Sequence, residues 1–256
     1  MGKEHHLAGR RQAILTALEK AGELSVEALS RQFDVSEVTI RQDLQALHEQ
    51  NLLLRTRGGA VTINALPEMS FGIRQQQQAA EKARIGQAAA DLIRSGDLIF
   101  IDASTTSLAI IPYLRQFPEL TVITNSLKVS LALLRLPQIQ VIMPGGTLRR
   151  DAVSLVGGPE DCLIPGLNAR LGFFGARGFT LEQGLTDVNM EEARTKHHMV
   201  KMCRQVVGVL DATKWGQMAV VTFATLNEIH SVITDEGAPR ALVDAARERG
   251  LKVQMV

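Results

Sequence analysis

From residue 81 to the carboxyl end, apolar residues come in two alternating arrangements, and this alternation narrows the possible folds more than any other feature of the chain. Short β-rich runs stand at Leu98–Ile101, Thr121–Thr124, Gln140–Met143, Leu171–Phe174, Val206–Leu210, Ser231–Thr234 and Lys252–Val256. Between them the spacing predicts helices over Glu81–Arg94, Thr105–Arg115 and Ser126–Leu134, and near 190–203 and 239–249. Short apolar strands that alternate with helices imply an α/β fold, a mostly parallel sheet covered on both faces. In such sheets ligands bind beyond the carboxyl ends of the strands. The residues that follow each strand are therefore the candidates for a site.

Five of these strand ends are polar. Asp102, Ser104, Thr105 and Thr106 follow the first strand and open a helix, placing hydroxyls and backbone N–H groups at the positive end of its dipole, which suits phosphate. Asn125 and Ser126 follow the second strand in the same way. After the third, Gly145 and Gly146 permit close backbone approach, and Arg149 and Arg150 offer charge. Gly175 and Arg177 follow Phe174, and Lys214 closes the stretch after Leu210. Glu192 and Lys196 lie one helical turn apart, the spacing of an ordinary surface ion pair. Hydroxyl caps and glycine turns are commonplace singly; five polar strand ends on one sheet edge form a candidate ligand site.

The first sixty residues follow another pattern. Ala13, Ile14, Leu15 and Leu18 make an amphipathic helix ending near Gly22, and Ser25 caps a second helix carrying Val26, Leu29 and Phe33. Asp34-Val35-Ser36 is the turn, and Ser36 caps a third helix with Glu37 at its positive end. On that helix Ile40, Leu44 and Leu47 share one stripe, while Val38, Thr39, Gln42 and Gln45 face the other way with Arg41 on the flank. A Thr and a Val can touch a thymine methyl, Gln can bond an adenine edge, and Arg suits phosphate or guanine. Two helices joined by a short turn, the second with an outward readout face including Ser36, form a helix-turn-helix. Arg55, Arg57 and the Gly58-Gly59 pair, able to take positive φ, predict a two-stranded wing.

Arg10, Ile14, Leu18, then Ser36-x-x-Thr39-Ile40-Arg41-x-Asp43-Leu44 and Arg57-Gly58-Gly59-Ala60 resemble the DeoR family of bacterial sugar-metabolism repressors. Gln42 departs from the Arg or Lys that members usually carry, at the expense of one phosphate contact. Asp43 is expected to serve as an internal partner, for instance to a wing arginine, because phosphates repel a carboxylate. The resemblance covers essentially the whole chain. It implies a winged helix-turn-helix head at 1–61, a linker at 62–80 with Phe71 and Arg74 at family positions, and an effector half at 81–256 similar to ribose-5-phosphate isomerase and the aminosugar-phosphate isomerases. It further implies a repressor of a carbohydrate uptake or breakdown operon, with double-stranded operator DNA and a phosphorylated sugar as partners. Ser104, Thr105 and Thr106 match the isomerases' phosphate loop, Lys214 their phosphate lysine, and Glu192 with Lys196 the family's acidic and basic pair. Where those enzymes carry Asp-Gly-Ala-Asp, this chain has Phe174-Gly175-Ala176-Arg177. Neither phenyl ring nor guanidinium can abstract a proton, whereas Arg177 can hold an anionic group. No enzyme activity, cofactor or metal is expected.

Charge sharpens the expectation for DNA. Residues 1–60 hold eight Lys/Arg and eight Asp/Glu, so the head is neutral and cannot act as a generic polyelectrolyte binder. A homodimer or homotetramer reading repeated sites is expected instead, with Arg41, Arg55 and Arg57 at the interface. No run reaches the ~18 apolar residues of a membrane span, and no leader opens the chain, so a cytoplasmic protein is expected. Cys162 and Cys203 have neither metal nor redox spacing. Asn64, Pro67, Gly72 and the Gln75–Gln78 run break the apolar period and read as a hinge or a first helical turn.

Overall fold

The computed structural model describes residues 10–11, 13–18, 21–49, 53–56, 58–62, 71–157 and 167–256. Backbone contacts divide the chain at Gln77/Gln78 into two units. The first contains helix α1 (helical at 10–11 and 13–18), β1 (Glu23–Ser25), α2 (Val26–Phe33), α3 (Glu37–Glu49), β2 (Leu53–Arg55), β3 (Gly59–Thr62) and α4 (Phe71–Gln76). Ser25 caps α2 by accepting from Ala28 N at 3.0 Å, and Asp34 makes the turn with φ 50°. Ser36 caps α3 by accepting from Thr39 N at 3.2 Å. The apolar stripes of the three helices meet Leu53 and Ala60 in one core of Ile14, Leu18, Val26, Leu29, Ile40, Leu44 and Leu47.

β2 and β3 form the expected antiparallel wing, and β1, which sequence spacing does not reveal, pairs on the far side of β3. Gly59 is not in the left-handed region. Its role is close approach instead, since a Cβ there would lie 2.1 Å from the Leu24 carbonyl oxygen. Asp43 is buried, as an internal partner should be, but its carboxylate accepts from Arg10 Nε at 2.6 Å and Arg11 Nε at 2.9 Å on α1, and not from a wing arginine. The preceding residue to Leu44, it points to the side of α3 that meets α1. Asp43→Ala should strand two partly exposed guanidiniums and cost the head about 2 kcal/mol. Amide exchange in α2 and α3 should then quicken about thirtyfold, and unchanged exchange would contradict this role.

The second unit begins with α5 (Ala79–Ala90), entered through Gln78 at φ 49°; the helix expected at 81–94 thus starts and stops earlier. It continues through β4 (Leu98–Ile101), α6 (Thr105–Leu108), β5 (Leu120–Ile123), α7 (Leu127–Leu133), β6 (Ile139–Ile142), β7 (Thr147–Arg149), β8 (Ser154–Val156) and β9 (Ala169–Phe174). Then follow β10 (Gly178–Thr180), β11 (Gly184–Asp187), α8 (Met190–Lys201), β12 (Cys203–Leu210), β13 (Val221–Ala224), β14 (Ser231–Thr234), α9 (Arg240–Glu248) and β15 (Lys252–Met255). The single helix expected over 105–115 is instead α6 followed by a 3₁₀ turn at Ile111–Gln116. Pro112 explains the break, because it has no N–H to offer the Leu108 carbonyl and its ring crowds that oxygen.

Seven strands pair in parallel in the order β15-β14-β12-β9-β4-β5-β6. Alternate side chains feed two cores. Ile99, Ile101, Leu171, Phe173, Val207 and Val209 pack with Ile85, Ala88 and Ala89 of α5 on one face. Phe100, Phe174, Val206 and Leu210 pack with Met199, Val200, Val243 and Phe223 on the other. Burial on both faces is why the strands read as continuous apolar runs. The antiparallel pair β7–β8 and the small sheet β10-β11-β13 stand apart from the main sheet; their three- and four-residue strands are too short to show a period.

Candidate functional site

The strand order reverses between β4 and β9: the chain proceeds from β4 through β5 to β6 in one direction, and from β9 through β12 and β14 to β15 in the other. That switch point opens a crevice at the carboxyl ends of the two central strands, where open α/β sheets take their ligands. Asp102 leaves β4 there and Gly175 leaves β9. Asp102 Oδ1 accepts from Ser104 N at 3.0 Å, and Oδ2 from Gly175 N at 3.1 Å. A Cβ at Gly175 would lie 2.3 Å from Ser104 Oγ, so only glycine lets the two loops touch.

Helix α8 supplies the next layer. Buried Lys196 donates to Asp187 Oδ2 at 2.7 Å and to the Gly175 carbonyl at 3.0 Å, lies 3.1 Å from Asp102 Oδ2, and stands 4.9 Å from the Phe223 ring centroid. Burial alone would lower its pKa, but Asp187, Asp102 and Glu192 more than reverse this and the net shift is upward. Burial likewise opposes ionisation of Asp187, yet Lys196 and Arg177 hold its carboxyl below the usual range. Glu192, also buried, accepts from Ser154 Oγ at 2.7 Å, Asn125 Nδ2 at 3.1 Å and Arg149 Nη1 at 3.5 Å. Asn125 Nδ2 donates as well to the Leu155 carbonyl at 3.2 Å, which fixes the amide; its Oδ1 is buried and accepts from no donor among the described residues.

Several sequence candidates thus meet in one network: Asp102, Ser104, Asn125, Arg149, Gly175, Glu192 and Lys196. Ser126 caps α7 beside it, accepting from Val129 N, and Thr105 and Thr106 form the buried start of α6. Gly145 and Gly146 are exposed and enter no hydrogen bond of this network among the described residues. The reason is local: the chain turns at them into strand β7, which returns Arg149 to the cluster. Glu192 and Lys196 are not a surface pair. Each faces inward and finds partners on other elements. Lys214 stands after β12 in a 3₁₀ turn, its Nζ 3.9 Å from Asp211. Asp187 and Ser154 belong to the network and escape sequence reading, since both lie in the short strands β11 and β8. Cys203 keeps its proton, with burial pushing its thiol up to about 12, while Cys162 lies outside the described residues.

In the head, Val38, Arg41, Gln42 and Gln45 lie exposed on the outer side of α3, and Ser36 at its start. Thr39 is half-buried with its Oγ1 2.9 Å from Ser36 Oγ. Arg41 donates to Glu37 at 2.7 Å, and Arg55 of the wing reaches Gln45 Oε1 at 2.6 Å, joining wing and helix in one outward surface. Arg57 lies outside the described residues.

A helix-turn-helix with its polar face outward, on the same chain as a parallel sheet with a polar cluster at its switch point, defines a DNA-binding regulator that senses a small ligand. The family models agree: that of the DeoR C-terminal sensor domain matches residues 77–236, and that of the DeoR-like helix-turn-helix domain matches residues 10–65. The HTH-type transcriptional regulator GolR of Listeria innocua is 36% identical over 247 residues, covering 96% of this chain and 97% of that protein. The glycerol-3-phosphate regulon repressor of Escherichia coli is 30% identical over 246 residues, covering 96% and 98%. The chain belongs to the DeoR family of transcriptional regulators. Among solved structures, ribose 5 phosphate isomerase A from Neisseria gonorrhoeae is similar at 14% identity over 52% of each chain with a TM-score of 0.40, a distance from which no chemistry is carried over.

Proposed function

We propose that this protein represses a carbohydrate uptake or breakdown operon, and that a phosphorylated sugar bound at the β4/β9 edge releases it from operator DNA. Residues 1–61 are the DNA-binding unit, 62–80 the link, and 81–256 the effector-binding part. Ser36, Val38, Thr39, Arg41, Gln42, Gln45, Arg55 and Arg57 make the DNA surface. With the head neutral, two or four copies of the chain reading repeated half-sites supply the affinity that one copy lacks.

The observation that carries the effector reading is Asn125. Both hydrogens of its amide are used, on Leu155 and Glu192, so Oδ1 cannot be exchanged for the donor end, and it remains a buried acceptor with no donor among the described residues. An acceptor in that state costs about 1–3 kcal/mol until a donor arrives. A sugar hydroxyl is such a donor. The phosphate is held by the Ser104–Thr106 start of α6 and by Lys214, with Arg149 and Arg177 as helpers. Asp102 and Asp187, the carboxylates at this edge, are held by the ammonium of Lys196, which supports a binding role over that of a free base. Coupling between effector and DNA requires the ligand to favour an arrangement of the heads that is wrongly spaced for the operator. Deleting the gene should raise transcription of neighbouring catabolic genes severalfold in the absence of inducer. A fall would mean that the protein activates.

A further inference from the structure

We propose that the β7–β8 hairpin is a gate over Asn125, hinged at Gly146 and Gly157, which must swing out before a ligand donor can reach this end of the site. The proposal rests on the effector reading of Asn125 and adds to it the movement that admits the ligand. Asn125 Oδ1 is buried, so no donor from outside meets it while its surroundings stay closed. Leu155 of β8 lies directly against it: Leu155 N donates to the Asn125 carbonyl at 2.8 Å, and Asn125 Nδ2 donates to the Leu155 carbonyl at 3.2 Å. Arg149 and Ser154 face each other across the hairpin, and both donate to Glu192, at 3.5 and 2.7 Å. A further tie runs from Leu127 N, at the start of α7, to the Val153 carbonyl at 3.0 Å.

The hairpin is built to move as a piece. Ala152 and Val156 are buried, yet among the described residues none of 147–156 belongs to either core of the second unit, so the ties that hold the hairpin down are chiefly polar. Elements held in this way open at lower cost than core strands. The chain enters and leaves the hairpin through glycines with positive φ, Gly146 at 140° and Gly157 at 63°. Gly157 has open space where a Cβ would stand, so glycine serves its backbone conformation there and not close approach. Val153, the residue before β8, sits at φ 53°, where a β-branched side chain is strained. Opening releases that strain. The closed hairpin is therefore held less firmly than its hydrogen bonds alone would hold it, and a ligand that gives Asn125 Oδ1 its donor enters while the hairpin is away.

Hydrogen exchange resolved to single amides, on the full chain without ligand, tests whether the hairpin opens. The amides of Leu127 and Leu155 should exchange together, about a hundredfold faster than those of β4 and β9. Val153→Gly, which relieves the closed form, should slow both about tenfold, and Gly157→Ala, which strains it, should speed both about fivefold. Exchange no faster than that of β4, or unmoved by either substitution, overturns the gate. A reversible lock tests the link to the ligand. Ser126 and Ser154 are antiparallel bridge partners flanked by the Leu127–Val153 and Leu155–Asn125 hydrogen bonds. In a pair of that kind the Cα atoms lie about 4.5 Å apart, within reach of a disulfide. The Ser126→Cys/Ser154→Cys chain, bound to labelled DNA from upstream of the gene, is titrated with a pool of triose, pentose and hexose phosphates. The oxidised form should need at least about ten times more of the pool for release than the same protein reduced with dithiothreitol, while wild type responds alike under both conditions. Equal release from the oxidised and reduced forms overturns the gate. A pool that releases neither wild type nor the reduced variant overturns the effector reading instead, and the exchange result then decides by itself whether the hairpin opens.

Discussion

Replacing Lys196 with methionine should remove about 3–5 kcal/mol from the stability of residues 78–256, the largest loss expected from any single substitution in the network. The lysine is buried, and its ammonium lies within 3.1 Å of two carboxylates that are themselves buried. Methionine keeps the length and apolar stem but leaves Asp102 and Asp187 as adjacent buried anions. One must then take up a proton or the crevice must admit water. A typical domain is stable by only about 5–15 kcal/mol, so the variant should unfold at markedly lower urea, as read from Trp215 fluorescence. Adding Asp187→Asn should restore part of the loss by removing one of the two stranded charges. A Lys196→Met variant as stable as wild type would show that the ammonium is not held as described.

How far the fold could be read in advance follows from where each element gets its stabilisation. The seven parallel strands were legible because each buries both faces in its own short apolar run, as Leu98–Ile101 does. The helix starts at Ser25, Ser36, Ser104 and Ser126 were legible because a cap is a bond between near neighbours, three residues apart. The polar network is the reverse case. Ser154 meets Glu192 across 38 residues and Asn125 meets it across 67, and no local spacing encodes such partners. Glu192 and Lys196 were visible as a pair one turn apart, yet their burial and their partners on β4, β8 and β11 were not. The same limit hid the partners of Asp43 on α1 and the reason for Gly59, each set by a segment distant in sequence.

Lys214→Ala should weaken the phosphorylated effector at least about tenfold while leaving operator affinity unchanged, giving a repressor that stays on its DNA when inducer is present. The lysine follows β12 at the same sheet edge, a point charge able to meet a phosphate oxygen. A charge-assisted hydrogen bond of this kind contributes about 1.5–3 kcal/mol, which is the source of the tenfold figure. A free sugar gains nothing from it, so the wild type should discriminate between phosphorylated and unphosphorylated forms of the same sugar, and Lys214→Ala should discriminate less.

The most direct measurement is fluorescence anisotropy of labelled DNA from immediately upstream of the gene, titrated with the full chain and then with a panel of sugars, each offered with and without its phosphate. The account predicts that at least one phosphorylated sugar returns the anisotropy to that of unbound DNA, that its unphosphorylated form does not, and that Lys214→Ala needs about ten times more of it. Release by the free sugar at the same concentration as by its phosphate, or DNA that stays bound through the whole panel, would contradict it.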